Sequence, residues 1–195
     1  MESNNTIHRI VLTGGPGAGK TTAADLLRRE IGEAIIIVPE AATMIFSSGF
    51  PRYKDTEARK ATQSAIYHIQ KNLEDVQARA YPHRTLLCDR GTLDSAVYWP
   101  DGEDSFFRAM ETNLQSELKR YDAVIFFESA AVGKKAVIEG GNPTRNESVE
   151  EAALLDSQLR EIWSNHPRFY HIPNHNSFIH KITTAIDCIR EVIQR

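Results

Sequence analysis

The sequence predicts an α/β fold: a single domain over residues 1–195, built on a five-stranded parallel sheet with helices on both faces and a lid segment at about 129–147. Three observations predict it. Short apolar runs with strand character alternate with helical patterns along the whole chain, as they do where crossover helices join parallel strands. No repeat, low-complexity tract or Pro/Gly linker marks a boundary. A chain of 195 residues is also long enough to bury one core without disulfides or metals.

The elements follow in order. Ile7 to Thr13 is the first expected strand, and Gly14 to Thr21, G-G-P-G-A-G-K-T, follows it directly. In the pattern G-x-x-x-x-G-K-[ST], glycines let the backbone aim several N–H groups at phosphate oxygens, the lysine reaches the terminal phosphates, and the hydroxyl can ligand Mg²⁺. Gly15, Pro16, Gly17, Ala18, Gly19, Lys20, Thr21 and Thr22 are therefore the expected phosphate-binding residues. The next helix, Lys20 to Ile31, presents its positive end to the same anion and stops before Gly32. A second strand is expected at Ala34 to Val38.

The longest helix is expected over Thr56 to Ala80, where Ala58, Ala61, Ala65, Ile69, Leu73, Val76 and Ala80 recur at spacings of three and four. Its Gln63, Tyr67 and Gln70 share a face and could read a ligand, or could simply be polar surface. Strands follow at Thr85 to Asp89, Ala123 to Glu128 and Phe169 to Ile172, and all five strands read as buried on both faces. Ser148 and Glu151 form a capping box before Ala152, Leu155, Leu159 and Trp163, and a last helix spans about Ser177 to Ile193.

Ligands of such sheets bind beyond the carboxyl ends of the strands, and several of these strands end in charge. The second closes on Val38-Pro39-Glu40. Glu40 could act as a general base, or could be an exposed residue favoured at a helix N-terminus; the residues alone leave both open. The third closes on Cys88-Asp89-Arg90-Gly91, with Asp94 following. An aspartate closing an apolar strand beside a phosphate loop is placed to hold Mg²⁺, so Asp89 joins Thr21 as a metal candidate. Arg90 can fork onto a phosphate or the oxygen that receives it, or could form a structural Asp–Arg ion pair. Asp94 could bind substrate or sit in the first turn of a helix.

Composition narrows the class. A net charge of −3 and a pI near 6.2 argue against nucleic acid as the main partner. Cys88 and Cys188 lie far apart in apolar stretches and read as reduced core residues, which points to the cytoplasm. Met1 to Thr6 is polar and short of basic residues, so neither signal peptide nor membrane span is expected. The seven histidines form no zinc-binding pattern.

Together, G-G-P-G-A-G-K-T, Val38 to Ala42 (V-P-E-A-A), Cys88 to Asp94 (C-D-R-G-T-L-D) and the stretch from Arg145 through Glu147 resemble the nucleoside and nucleotide kinase branch of the P-loop proteins. Within it, the chain is most similar to the AAA-type family typified by bacterial ribosylnicotinamide kinase domains. The resemblance implies a P-loop NTPase fold, ATP as phosphoryl donor, Mg²⁺, and a small nucleoside-like acceptor. It implies Glu40 as the base, since the same carboxylate follows a strand in deoxyribonucleoside kinases. It also implies a mobile lid with a phosphoryl-binding arginine, for which Arg145 is the match; Lys134 and Lys135 read as solvated charges. His175 and Asn176 fall where such kinases cup adenine. The implied catalytic set is Lys20, Glu40, Arg90 and Arg145.

The same resemblance extends to nucleotide-controlled regulators with little transfer activity, binding GTP or ATP. No N-K-x-D guanine signature occurs, the nearest run being Asn174-His175-Asn176-Ser177, which favours ATP. An oligomeric remodelling ATPase is the third reading, disfavoured by the absence of an Asp-Glu pair after any apolar strand and by the length of the chain.

Overall fold

The computed structural model describes residues 8–132, 148–174 and 177–194. Five parallel strands, β1 (Arg9–Thr13), β2 (Ile35–Val38), β3 (Thr85–Asp89), β4 (Ala123–Phe127) and β5 (Phe169–Ile172), form one sheet in the order β2-β3-β1-β4-β5. The helices are α1 (Lys20–Ile31), α2 (Ala41–Ser47), α3 (Thr56–Ala80), α4 (Asp94–Val97), α5 (Glu103–Ala109), α6 (Leu114–Leu118), α7 (Val149–Trp163) and α8 (Phe178–Ile193).

The register aligns the strand ends on one edge: Leu12 pairs with Asp89, Val38 with Cys88, and Thr13 with Phe126. The segments after β1, β2, β3 and β4 therefore leave the sheet at the same rim, where parallel sheets bind ligands.

Apart from Arg9 and Asp89 at their ends, the middle strands are β-branched or apolar because helices cover both faces. One core joins Ile10, Leu12, Ile125 and Phe127 to Leu27 of α1 and Ile182, Ile186 and Ile189 of α8. The other joins Val11, Leu86, Cys88, Val124 and Phe126 to Tyr67, Phe106, Leu159 and Trp163. Cys88 is buried and Cys188 half-buried, and both are free thiols. No helix among the described residues is long and apolar enough to cross a membrane.

Two expectations require correction. Not every strand is buried on both faces. In β5, only Ile172 is buried and His171 is exposed, and Ile36 and Ile37 of β2 are half-buried. Both strands lie at the edges of the sheet, where helical cover is incomplete. The inward face of α3 also differs from its expected apolar stripe. Ala61, Val76 and Ala80 are exposed, Val76 at 60%, and Ala58, Ala65, Ile69 and Leu73 are half-buried, Leu73 packing against the core, whereas Tyr67, Gln70 and Glu74 are fully buried. Hydrogen-bond partners beneath the helix explain this inversion. Glu74 meets Arg120 at 2.8 Å and accepts from the Tyr121 hydroxyl at 2.8 Å, so its burial is compensated.

Boundaries elsewhere hold closely. Ala34 belongs to a 3₁₀ turn, Gly32–Ala34, rather than to β2, and β4 stops at Phe127 rather than Glu128. Ile7 lies outside the described residues. The Ser148–Glu151 capping box is formed, opening α7.

Candidate active site

The phosphate loop leaves β1 through Gly14, whose φ is +136°; a Cβ there would lie 2.0 Å from the Phe127 carbonyl oxygen. Only glycine fits both the conformation and the space. The turn brings the Lys20 ammonium back over the loop, where it donates to the carbonyls of Gly14 at 2.7 Å and Gly15 at 2.9 Å. Lys20 is 3% exposed and opens α1, whose first turn carries no acidic residue. The positive helix end and the lysine thus face the same space.

Asp156 of α7 anchors the loop from outside. One carboxylate oxygen accepts from the Gly15 N–H and the Ser129 N–H, both at 2.8 Å, while the Ser129 hydroxyl donates to the Pro16 carbonyl. The start of the 129–147 segment is therefore tied to the phosphate loop. Sequence reading missed Asp156, yet it carries a signal: an acidic residue on the inner stripe of α7 with Ala152, Leu159 and Trp163. Burial pushes its carboxyl up, opposed by the two amides.

The Thr21 hydroxyl donates to Asp89 Oδ2 at 2.9 Å, joining the two metal candidates. Asp89 Oδ1 is buried with no hydrogen-bond partner among the described residues. Burial, reinforced by the Glu40 charge, raises the Asp89 carboxyl, with Lys20 opposing.

Glu40 stands at the N-cap position of α2, with its carboxylate turned to Arg90 rather than to the helix amides. Arg90 Nε donates to Glu40 Oε1 at 2.6 Å, and the Thr43 hydroxyl donates to Oε2. Burial alone would raise the Glu40 carboxyl; Arg90, Thr43 and Lys20 outweigh it and hold the carboxyl at about 2. Arg90 has φ +75°, a left-handed backbone that is uncommon outside glycine. Its other arm donates from Nη1 to Asp94 Oδ2 at 2.7 Å. Asp94 also accepts from Thr13 Oγ1 at 3.0 Å and Trp163 Nε1 at 2.8 Å. Asp94 does open a short helix, but it is a buried hub that fixes Arg90, committed to side chains of the protein on every side.

Gln70 ties the start of α2, just after Glu40, to Arg90. Its oxygen accepts from the Ala41 N–H at 3.2 Å, and its nitrogen donates to the Arg90 carbonyl at 3.1 Å. Tyr67 donates to Glu117 at 2.8 Å. Both side chains are buried and bonded to partners in the interior, so neither is the polar surface that is one expectation for this face. Gln70→Leu should leave a buried N–H and a buried carbonyl unpaired at a cost of about 1–3 kcal/mol each. Urea unfolding measures the loss, and an unchanged midpoint would contradict the role.

Thr22 is exposed at the start of α1. Arg145, Lys134, Lys135, His175 and Asn176 lie outside the described residues.

Comparison with known proteins fits this geometry. No curated protein matches the sequence. Among solved structures, a deoxyadenosine kinase from M. mycoides with bound dATP superposes with a TM-score of 0.63 at 15% identity, covering 93% of this chain and 99% of that one. At that identity the likeness establishes the fold, that of the P-loop nucleoside kinases. A family model described as an AAA domain matches residues 9–179, a span that holds the loop and the whole Glu40, Asp89, Arg90 and Asp94 cluster. This chain belongs to the AAA domain family.

Proposed function

We propose that the protein is a kinase that transfers the γ-phosphoryl group of ATP to a hydroxyl of a small, nucleoside-like acceptor. The observation that carries this reading is the Glu40–Arg90 pair, 2.6 Å apart, on the same sheet rim as the phosphate loop. A loop alone binds a nucleotide; an ionised carboxylate beside it provides somewhere for an acceptor proton to go. The matching fold of a deoxyadenosine kinase supports the same class.

In phosphoryl transfer the protein contributes mainly position and charge. Lys20 and the loop amides, from Gly15 to Thr22, hold the β- and γ-phosphates. On binding, the Lys20 ammonium exchanges the Gly14 and Gly15 carbonyls for phosphate oxygens. Glu40 accepts the hydroxyl proton as the acceptor oxygen attacks, and Arg90 orients that oxygen and offsets its charge. Arg145 is proposed to complete the phosphoryl clamp from the lid.

The donor set suits Mg²⁺. Asp89 Oδ1 is an orphaned buried oxygen and Thr21 a neighbouring hydroxyl, both hard ligands, and Mg²⁺ in nucleotide sites takes one or two protein oxygens with the phosphates. Thr21 and Asp89 would hold it, and it would neutralise charge on the phosphate oxygens. ATP is the proposed donor over GTP, and the cytoplasm the proposed location.

The test is Mg²⁺-dependent ADP production across nucleosides, ribosylnicotinamide and nucleoside monophosphates, with Lys20→Ala as the blank. Lys20-dependent stimulation by an acceptor is expected. Tight nucleotide binding with no stimulation by any acceptor would overturn the kinase reading in favour of a nucleotide-controlled regulator.

A further inference from the structure

A second charged feature lies beyond Glu40. A cavity of about 150 Å³ is lined by Phe46 of α2, by Arg52 and Tyr53, and by Arg59, Thr62 and Gln63 of α3. Its place is fixed by the two helices that bracket the catalytic pair. Gln63 lies seven residues before Gln70, and Phe46 five residues after Ala41. At 1.5 Å per residue these offsets are about 10 Å and about 7 Å from the Gln70–Ala41 contact. That is the length of one small acceptor. The volume is well below the roughly 300 Å³ that begins the range for whole small-molecule sites, so it suits one end of a ligand.

The lining is cationic. The Arg52 guanidinium stacks over the Phe46 ring at 3.6 Å, which occupies its face and leaves its N–H edge for an anion. Asp55 and Glu57, between the two arginines in sequence, and Asp101, which reaches Lys60, are engaged elsewhere. Asp55 caps α3 through the Ala58 N–H at 2.9 Å, while Glu57 and Asp101 both pair with Lys60. Among the described residues, no carboxylate forms an ion pair with Arg52 or Arg59. The Tyr53 phenol and Gln63 amide add neutral polar groups to the same wall, whereas the Thr62 hydroxyl donates to the Ala58 carbonyl at 2.8 Å.

We infer that Arg52 and Arg59 form the far wall of the acceptor site and bind an anionic group, phosphate or carboxylate, at the end of the acceptor opposite its reacting hydroxyl. The inference rests on the kinase reading for the location of that hydroxyl. It narrows the acceptor class: two guanidinium groups with no carboxylate partner among the described residues repel a cationic ring such as that of ribosylnicotinamide and favour an acidic substrate.

Matched pairs test it: 5-carboxyuridine against uridine, and myo-inositol 1-phosphate against myo-inositol. Binding is read by calorimetry with Mg·ADP saturating the phosphate loop, and transfer by ADP production from ATP. The wild type should favour an anionic member at least tenfold over its neutral partner, and R52Q/R59Q should bring that ratio close to one. The carboxylate and phosphate arms tell the two anions apart. Both substituted positions are exposed, so the variant should melt with the wild type. An anion preference in binding that R52Q/R59Q abolishes, without transfer to any acceptor, would uphold the anion site and sink the kinase reading. Transfer or binding with equal preference for both members of each pair would overturn the anion site alone.

Discussion

Glu40→Gln should lower turnover by about 10²–10⁴-fold while leaving Mg·ATP affinity intact. The factor corresponds to about 2.7–5.4 kcal/mol of barrier. Glutamine preserves the shape of the side chain and an oxygen for Arg90 Nε, so what is removed is chiefly the ability to take a proton. The pH profile adds a second readout. Burial raises the Glu40 carboxyl, but Arg90 and its other partners hold it down at about 2. Its ionised form is thus complete above that value and lost only as pH falls through it. Wild-type kcat/KM should show no acidic limb from Glu40 between pH 5 and 8. Arg90→Met removes the largest lowering influence and leaves burial in place, so an acidic limb should move up toward or above the ordinary carboxylate range, on a reduced rate. Unchanged turnover in Glu40→Gln would leave Glu40 without a catalytic role.

Asp94→Ala should destabilise the protein by about 3–5 kcal/mol, the usual cost of breaking a buried charge pair from one side. At 2–4 °C per kcal/mol for a chain of this size, Tm falls on the order of 10 °C. Asp94 receives hydrogen bonds from Arg90, Thr13 and Trp163, so its loss leaves a buried guanidinium arm, a hydroxyl and an indole N–H unpaired at once. Activity should fall too, because among the described residues the Arg90 guanidinium keeps only Glu40 as an ion-pair partner. Asp94→Asn retains an oxygen for some of these donors and should lose less. A melting curve of Asp94→Ala within 2 °C of wild type would contradict the hub.

The five strands were legible because each is a continuous apolar or β-branched run, a pattern that survives without knowledge of neighbours. α1, α3 and the start of α7 were legible from periodicity and caps. The short helices α2, α4, α5 and α6 were not, since four to seven residues span at most two turns and show no period. Of the candidate site, the loop, Asp89, Arg90 and Glu40 could be read because they follow strands. The role of Asp94 could not, as its partners Thr13 and Trp163 lie 81 and 69 residues away. Gln70 was singled out on the correct face without its interior partners: spacing places residues on one side of a helix but does not say whether that side meets water or protein.

The inverted face of α3 has a consequence for how that helix finds its seat. An oily stripe tolerates rotation, because one aliphatic contact substitutes for another. Here Tyr67, Gln70 and Glu74 must each meet a specific partner, and a turn of about 100°, one residue around the helix, would strand all three at once. The helix behaves like a key with cut teeth. A sequence redesigned to give α3 a conventional greasy underside would loosen the angular lock that sets Ala41 and Arg90 at their working separation, even where it gained stability.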